Sequence, residues 1–379
     1  MFANDADFKN DLVAHKIYSS WQFIQFAQEN INIAEYCYNT INQIMEKLNN
    51  KAKRWEQELF SDSGKTGITQ DDLPDLSLYT AGLKVDPWFL FYKLLRDFYQ
   101  YAANSFDSMS QIVNEALLAN QSRPIDSVGF SYMRNCLKRD YLKIFPKMTN
   151  WFNTTAENEE FEYLTAVNNR TKHTAGIKID LSIGIFGSHS SAQIGSFCRK
   201  NTPHEEKELL DKISKTREFL DESWHDFLSV LCDEYQSNTY IENRRHAIGG
   251  VHQQISEDDP TQNFSYAYIP VEGEFASMSD SIRILLVSGE GDNVRADNCT
   301  FEHILVKDTA KDKILGQYKM KDKPSEDCLL SYREYIKDTK NVGKWIEWLR
   351  YQEKNKIYLK SPFFDIETTT LPKKNKPSE

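Results

Sequence analysis

Apolar side chains recur near the start of the chain at Ile17, Trp21, Ile24, Ile31, Ala34, Tyr38, Ile41, Met45 and Leu48, in steps of three and four with one gap of seven. This period places them on one face and predicts an amphipathic helix from Leu12 to Leu48. At ~1.5 Å per residue such a helix runs ~55 Å, so it needs partners of similar length, and a helical bundle follows. The polar stretch from Asn49 to Lys84 reads as a loop. Asp86 followed by Pro87 is a helix start, and Phe91, Leu94, Leu95, Phe98, Ala102, Phe106, Met109, Ile112, Val113 and Ala116 form the buried stripe of a second helix. That aromatic stripe reads as core rather than as a cofactor box.

Arg123 to Gly129 breaks the chain. A third helical stretch runs from Phe130 to about Phe152, divided or kinked by Pro146, and a fourth helix, capped from Thr155, Asn158 or Glu159, runs to a polar segment ending at His173. After Gly176 the period changes to two, with Ile177, Ile179, Leu181, Ile183 and Ile185 alternating in a strand or extended arm. Thr202-Pro203-His204-Glu205 has the form of a capping box and predicts a helix from there to about Tyr235.

Beyond Thr239 the pattern turns β-rich. Phe264, Tyr266 and Tyr268 alternate, and residues 282–287 and 301–306 are apolar runs bounded by turn residues. A last helical segment is expected around Leu329 to Tyr351, followed by a polar tail from Thr368. The predicted fold class is therefore mainly α, an antiparallel helical bundle with a small β-rich C-terminal unit, α+β overall. Its parts are a bundle over residues 1–238 with a β-like insertion near 177–187, a small α/β domain over 239–366, and a flexible tail over 367–379.

Composition narrows the function classes. The 379 residues include 22 Phe, 19 Tyr and 7 Trp, enough to build more than one core. A net charge of −10 argues against a broad cationic footprint for nucleic acid and leaves room only for a local basic site. The cysteines at 37, 136, 198, 232, 299 and 328 are scattered, without zinc spacing, and read as reduced thiols of a cytoplasmic protein. No secretory signal is read at the N-terminus, and no apolar run reaches the length of a bilayer span.

The segment richest in chemistry is Asn168-Asn169-Arg170-Thr171-Lys172-His173, which gathers amides, a guanidinium, an ammonium and an imidazole at a helix end. One reading is structural: Lys and His complement the helix dipole and an amide caps free carbonyls. The other is chemical. An imidazole with a reference pKa of ~6.5 can move a proton at neutral pH, with Arg170 or Lys172 on a phosphate and Asn169 orienting the sugar or the imidazole. A second basic cluster, Asn243-Arg244-Arg245-His246, precedes Gly249-Gly250 and reads as a loop able to contribute cations to a groove. Gly64-Lys65-Thr66 lacks the first glycine of a phosphate-binding loop, since Leu59 stands there. The hydroxyl-rich Gly187 to Ser191 reads as a turn rather than a nucleophile elbow.

A run of antiparallel amphipathic helices whose fourth member closes on Asn169-x-x-Lys172-His173 resembles the HEPN superfamily (higher eukaryote and prokaryote nucleotide-binding domains) over residues 12 to 235. Catalytic members carry Arg-Asn-x-x-x-His at a dimer interface. Anchored on His173, the motif places Asn169 at the Asn and Asn168 at the arginine. The resemblance implies a bacterial-type RNA-directed protein, and the activity it implies is a metal-independent endoribonuclease, a toxin or an antiphage defence effector. The catalytic set is then His173, Asn169 and Arg170, with Asn168, Lys172, Arg244 and Arg245 binding substrate. No cofactor or metal is called for, and RNA and a homodimer partner are expected. Asn168 is the departure, because a neutral amide replaces a permanent cation. The competing expectation is a noncatalytic helical scaffold that binds a protein partner, through the C-terminal unit among other faces, or binds a nucleotide or RNA.

Overall fold

A computed structural model describes residues 7–8, 10, 12, 18–61, 77–80, 82–118, 122–123, 125–173, 176–184, 190–237, 251–253, 266–271, 280–288, 295–296, 303–308, 313–321, 333–339 and 364–370. The chain is mainly α, an antiparallel helical bundle with a small β-rich C-terminal unit. It divides into two compact units. A helical unit takes Ile24–Ser110 and Gly129–Leu231, and a sheet unit takes Met1–Phe23, Gln111–Val128 and Cys232–Glu379.

Helix α1 (Tyr18–Ser61) belongs to the helical unit from Ile24 onward and continues well past Leu48. The loop expected from Asn49 is corrected here. Ala52 follows the fully buried Leu48 on the same face, and the polar residues between Asn49 and Ser61 include several good helix formers. Two short antiparallel strands, β1 (Leu78–Thr80) and β2 (Leu83–Val85), follow, with Gly82 at φ +80° in their connection. Helix α2 (Pro87–Ala116) starts as its sequence predicts, with the Phe89 amide donating to Asp86 Oδ1 at 2.9 Å. Next come α3 (Phe130–Cys136), which runs into a π-helical turn over Leu137–Tyr141, and α4 (Pro146–Glu157), with Pro146 in its first turn. Helix α5 (Glu159–His173) and α6 (Leu209–Ser237) complete the bundle.

Aromatic rings from five helices meet in its core. Phe130 lies 4.4 Å from Phe161, 4.9 Å from Phe152 and 5.9 Å from Phe106, and Trp151 lies 5.1 Å from Phe227. Such edge-on and tilted pairs fill space efficiently and add to the gain from burial. A polar tie joins α1 to α6, where Arg217 Nε donates to Glu35 Oε2 at 2.7 Å.

Between α5 and α6 the chain forms β3 (Ile179–Ser182), β4 (Ser191–Ile194), β5 (Phe197–Arg199), β6 (Thr202–His204) and β7 (Lys207–Glu208). The helix expected to run from the Thr202 capping box to about Tyr235 forms, but its start is corrected, because Thr202 to His204 pair with β5. Lys200 and Asn201, at φ 47° and 70°, close the pair as a two-residue primed turn, which matches strand twist. Helix α6 starts only at Leu209, where Glu208 Oε2 accepts from the Asp211 amide at 2.5 Å.

In the sheet unit Asn114 holds the chain at Arg123 by two bonds, to its amide at 2.7 Å and from its own side chain to the carbonyl at 3.0 Å. The larger sheet contains β8 (Val251–Gln253), β9 (Tyr266–Val271), β10 (Ser281–Ser288), β11 (Arg295–Ala296), β12 (His303–Asp308), β13 (Lys313–Met320), β14 (Arg333–Lys337) and β15 (Phe364–Thr370). Its order is β11-β10-β14-β13-β12-β9-β8, with β15 along β10. Only β9 and β12 are parallel among the described pairs.

Two further expectations are corrected in this unit. The helix proposed for Leu329 to Tyr351 contains a strand at Arg333–Lys337, where Tyr335 is fully buried and its neighbour Ile336 is 42% exposed, a period of two. Thr368 to Thr370, assigned to the tail, pair with Ile284 to Ile282 in β15, as β-branched residues favour.

Candidate functional site

Helix α5 carries the predicted site, and local chemistry explains its start. Asn158 Oδ1 accepts from the Glu160 amide at 2.8 Å, while Glu159, Glu160 and Glu162 suit the positive end of the helix dipole. Phe161, Leu164, Val167 and Asn168 face the interior.

The last turns hold the predicted residues, and the fold uses each differently. Asn168 is buried, and its Oδ1 has no hydrogen-bond partner among the described residues. Asn169 Nδ2 donates to the Thr165 carbonyl of the same helix at 2.7 Å. Arg170 reaches β5, where Nη1 donates to the Cys198 carbonyl at 3.0 Å and the guanidinium lies 5.9 Å from the centre of the Phe197 ring. Lys172 is exposed, and its charge favours the ionised form of Asp107. Successive helical residues are rotated by about 100°, so Asn168, Asn169 and Arg170 leave α5 in three directions. His173 is the last residue of α5 and its side chain lies outside the described residues, as do Arg244 and Arg245.

The first turns of α5 hold a cluster that the sequence reading passed over. Lys212 of α6 pairs with Glu160 at 2.7 Å, with side chains 10% and 23% exposed, and the Thr216 hydroxyl donates to the same carboxylate oxygen at 3.2 Å. The Lys212 ammonium also sits 4.2 Å from the centre of the Tyr163 ring, a cation–π contact. Tyr163 meets Phe197 at 5.8 Å and His204 at 5.7 Å, and those two rings stack at 4.6 Å. Burial, reinforced by the Glu160 charge, pushes the Tyr163 phenol well above its ordinary range. Burial also holds His204 below the usual histidine value, with Glu162 opposing and Arg199 and Lys212 adding to the shift. The signal was legible: Lys212 and Thr216 lie four apart beside Leu209, Ile213 and Leu220, and a charge among such positions needs a partner.

A third feature closes α3. Gly129 precedes that helix and supplies no side-chain cap; Asp107 of α2 does so instead, its Oδ1 accepting from the Phe130 amide at 2.9 Å. A Cβ at Gly129 would lie 3.0 Å from that oxygen, a tight contact that the Asp107 side chain would have to relieve by a few tenths of an ångström. Burial raises the Asp107 carboxyl above its ordinary value, against the lowering effects of the Phe130 bond and Lys172.

The remaining candidates have local uses. Arg134 donates to Asn153 Oδ1 at 2.9 Å, and Ser190 Oγ accepts from the Gly184 amide at 2.8 Å. Cys37, Cys136, Cys198 and Cys232 are free thiols. Among the described residues no three His, Cys, Asp or Glu side chains gather as a metal site, and no helix is long and apolar enough to cross a membrane.

Residues 246–370, about a third of the chain, match a family described as a domain of unknown function (DUF8310). They span the strands β8 to β15. Comparison with curated proteins and with solved structures returns no match.

Proposed function

We propose that the chain is a noncatalytic, HEPN-like helical binding scaffold in which the Asn168 to His173 run fastens the bundle. The observation that carries this reading is the Arg170 guanidinium, the nearest available substitute for the missing arginine, which is held by the Cys198 carbonyl and the Phe197 ring. A phosphate-binding cation in a ribonuclease has to meet the transition-state charge. Here the cation is spent on a strand, Asn169 on its own helix, and Asn168 is buried.

The test is incubation of the purified full chain with total RNA in EDTA, with His173→Ala alongside. Intact RNA in both samples is the expected result. Fragments with 2',3'-cyclic phosphate ends that vanish in the variant would contradict the proposal and restore the metal-independent ribonuclease.

A further inference from the structure

A groove of about 400 Å³ runs along α1 beside β1 in the helical unit. Ile44, Lys47, Lys51 and Arg54 line it from α1, spaced by three and four, so they form one straight stripe on the helix. Leu78 and Tyr79 line it from β1. Lys51 Nζ donates to the Ser77 carbonyl at 2.5 Å, which pins the start of β1 to the helix and fixes the groove's width.

Among the described residues three cations and no carboxylate line this groove, on a protein whose net charge is −10. Tyr79 is 74% exposed, which is unusual for a ring on a short strand, and its direct cross-strand neighbour is the exposed Lys84. Residues directly opposite in an antiparallel pair lie on the same face, so an aromatic surface and a fourth cation stand side by side. From Lys47 to Arg54 the stripe is ~10 Å long at ~1.5 Å per residue, which suits an extended chain of charges better than a single ion. A cationic track with an exposed aromatic platform is what binds single-stranded nucleic acid without sequence preference: the ammonium and guanidinium groups take phosphates and a base stacks on the ring.

We infer that the α1–β1 groove binds single-stranded RNA, with Lys47 and Arg54 on the phosphates, Lys51 holding the groove's wall through Ser77, and Tyr79 stacked on a base. This inference rests on the binding-scaffold reading and names its ligand and its place. It requires neither the end of α5 nor the sheet unit.

The experiment is fluorescence anisotropy of a labelled 12-nucleotide oligouridylate with the full chain in EDTA, over a series of salt concentrations, each sample then run on a denaturing gel. With two phosphate contacts the slope of log affinity against log salt is expected at about −1.4. Lys47→Gln/Arg54→Gln, which leaves Lys51 on Ser77, should bring it close to zero. Tyr79→Ala should weaken binding roughly ten-fold at constant slope, and an RNA duplex should compete poorly. Binding unchanged in both variants, or absent at low salt, overturns the inference and leaves the scaffold reading standing. Loss in the double variant with no effect of Tyr79→Ala overturns the single-strand assignment in favour of a general polyanion site. Cleaved RNA whose binding still depends on the groove supports the inference while overturning the noncatalytic reading.

Discussion

The end of α5 and the middle of α1 carry similar side chains, cations and amides at helical spacing, yet the protein treats them in opposite ways. On α5 the Arg170 guanidinium is taken by the Cys198 carbonyl, Asn169 folds back on Thr165 and Asn168 is buried. On α1 the exposed Lys47 and Arg54 line an open groove beside an exposed tyrosine. Residue types alone do not make a site. What decides is whether the fold has already consumed the donors, because a donor held by a carbonyl must give up that bond before it meets a ligand.

The strongest way to probe the α5 side of this contrast is to break its buried pair. Glu160→Ala leaves the Lys212 ammonium nearly buried without its counter-charge, and stability should fall by about 3 kcal/mol, the low end for such losses because Glu160 keeps some contact with water. Urea unfolding checks this, and adding Lys212→Met should recover most of the loss. A drop below about 0.5 kcal/mol, the range of ordinary surface substitutions, would mean that α5 is not fastened there.

A smaller effect is expected at the cap of α3. Asp107→Ala removes the acceptor for the Phe130 amide and should cost about 1 kcal/mol. The pH dependence has a definite sign. The folded-state value of Asp107 is raised above its unfolded value, so its contribution is fully present below the ordinary carboxyl range and is lost as pH rises through the raised value. Asp107→Asn should remove that part of the decline, measured as thermal midpoints from pH 3 to 7, and an unchanged profile would count against it.

Smallest is Arg170→Ala, which deletes one hydrogen bond and one cation–π contact and should cost about 1 kcal/mol or less in the same unfolding assay. RNA binding in the α1 groove should be untouched by it. A loss of RNA affinity with unchanged stability would reverse the comparison between the two helices.

Much of the bundle was legible because its signals are local. Asp86 and Pro87 set the start of α2, and the aromatic stripe from Phe91 to Phe106 packs inside as its period predicts. Elements whose identity depends on distant partners were not. Thr202 to His204 looks like a capping box and becomes a strand because Phe197 to Arg199 pairs with it across a primed turn. Arg333 to Lys337 carries too few apolar residues to separate a period of two from one of 3.6, and its pairing with β10 and β13 decides. For the site, the sequence singled out α5 but not the use of its donors. Arg170 finds its acceptor 28 residues away and Glu160 finds Lys212 52 residues away, on hairpins and helices that only the fold brings near.

The most direct measurement is photocrosslinking of a 4-thiouridine-substituted oligoribonucleotide to the full chain, with the attachment site read by peptide mass spectrometry. The account predicts that the crosslinked peptide contains Tyr79, with crosslinking lost in Lys47→Gln/Arg54→Gln. Crosslinks confined to the peptide holding Asn168 to His173 would contradict it, and would return the end of α5 to the role of the RNA site.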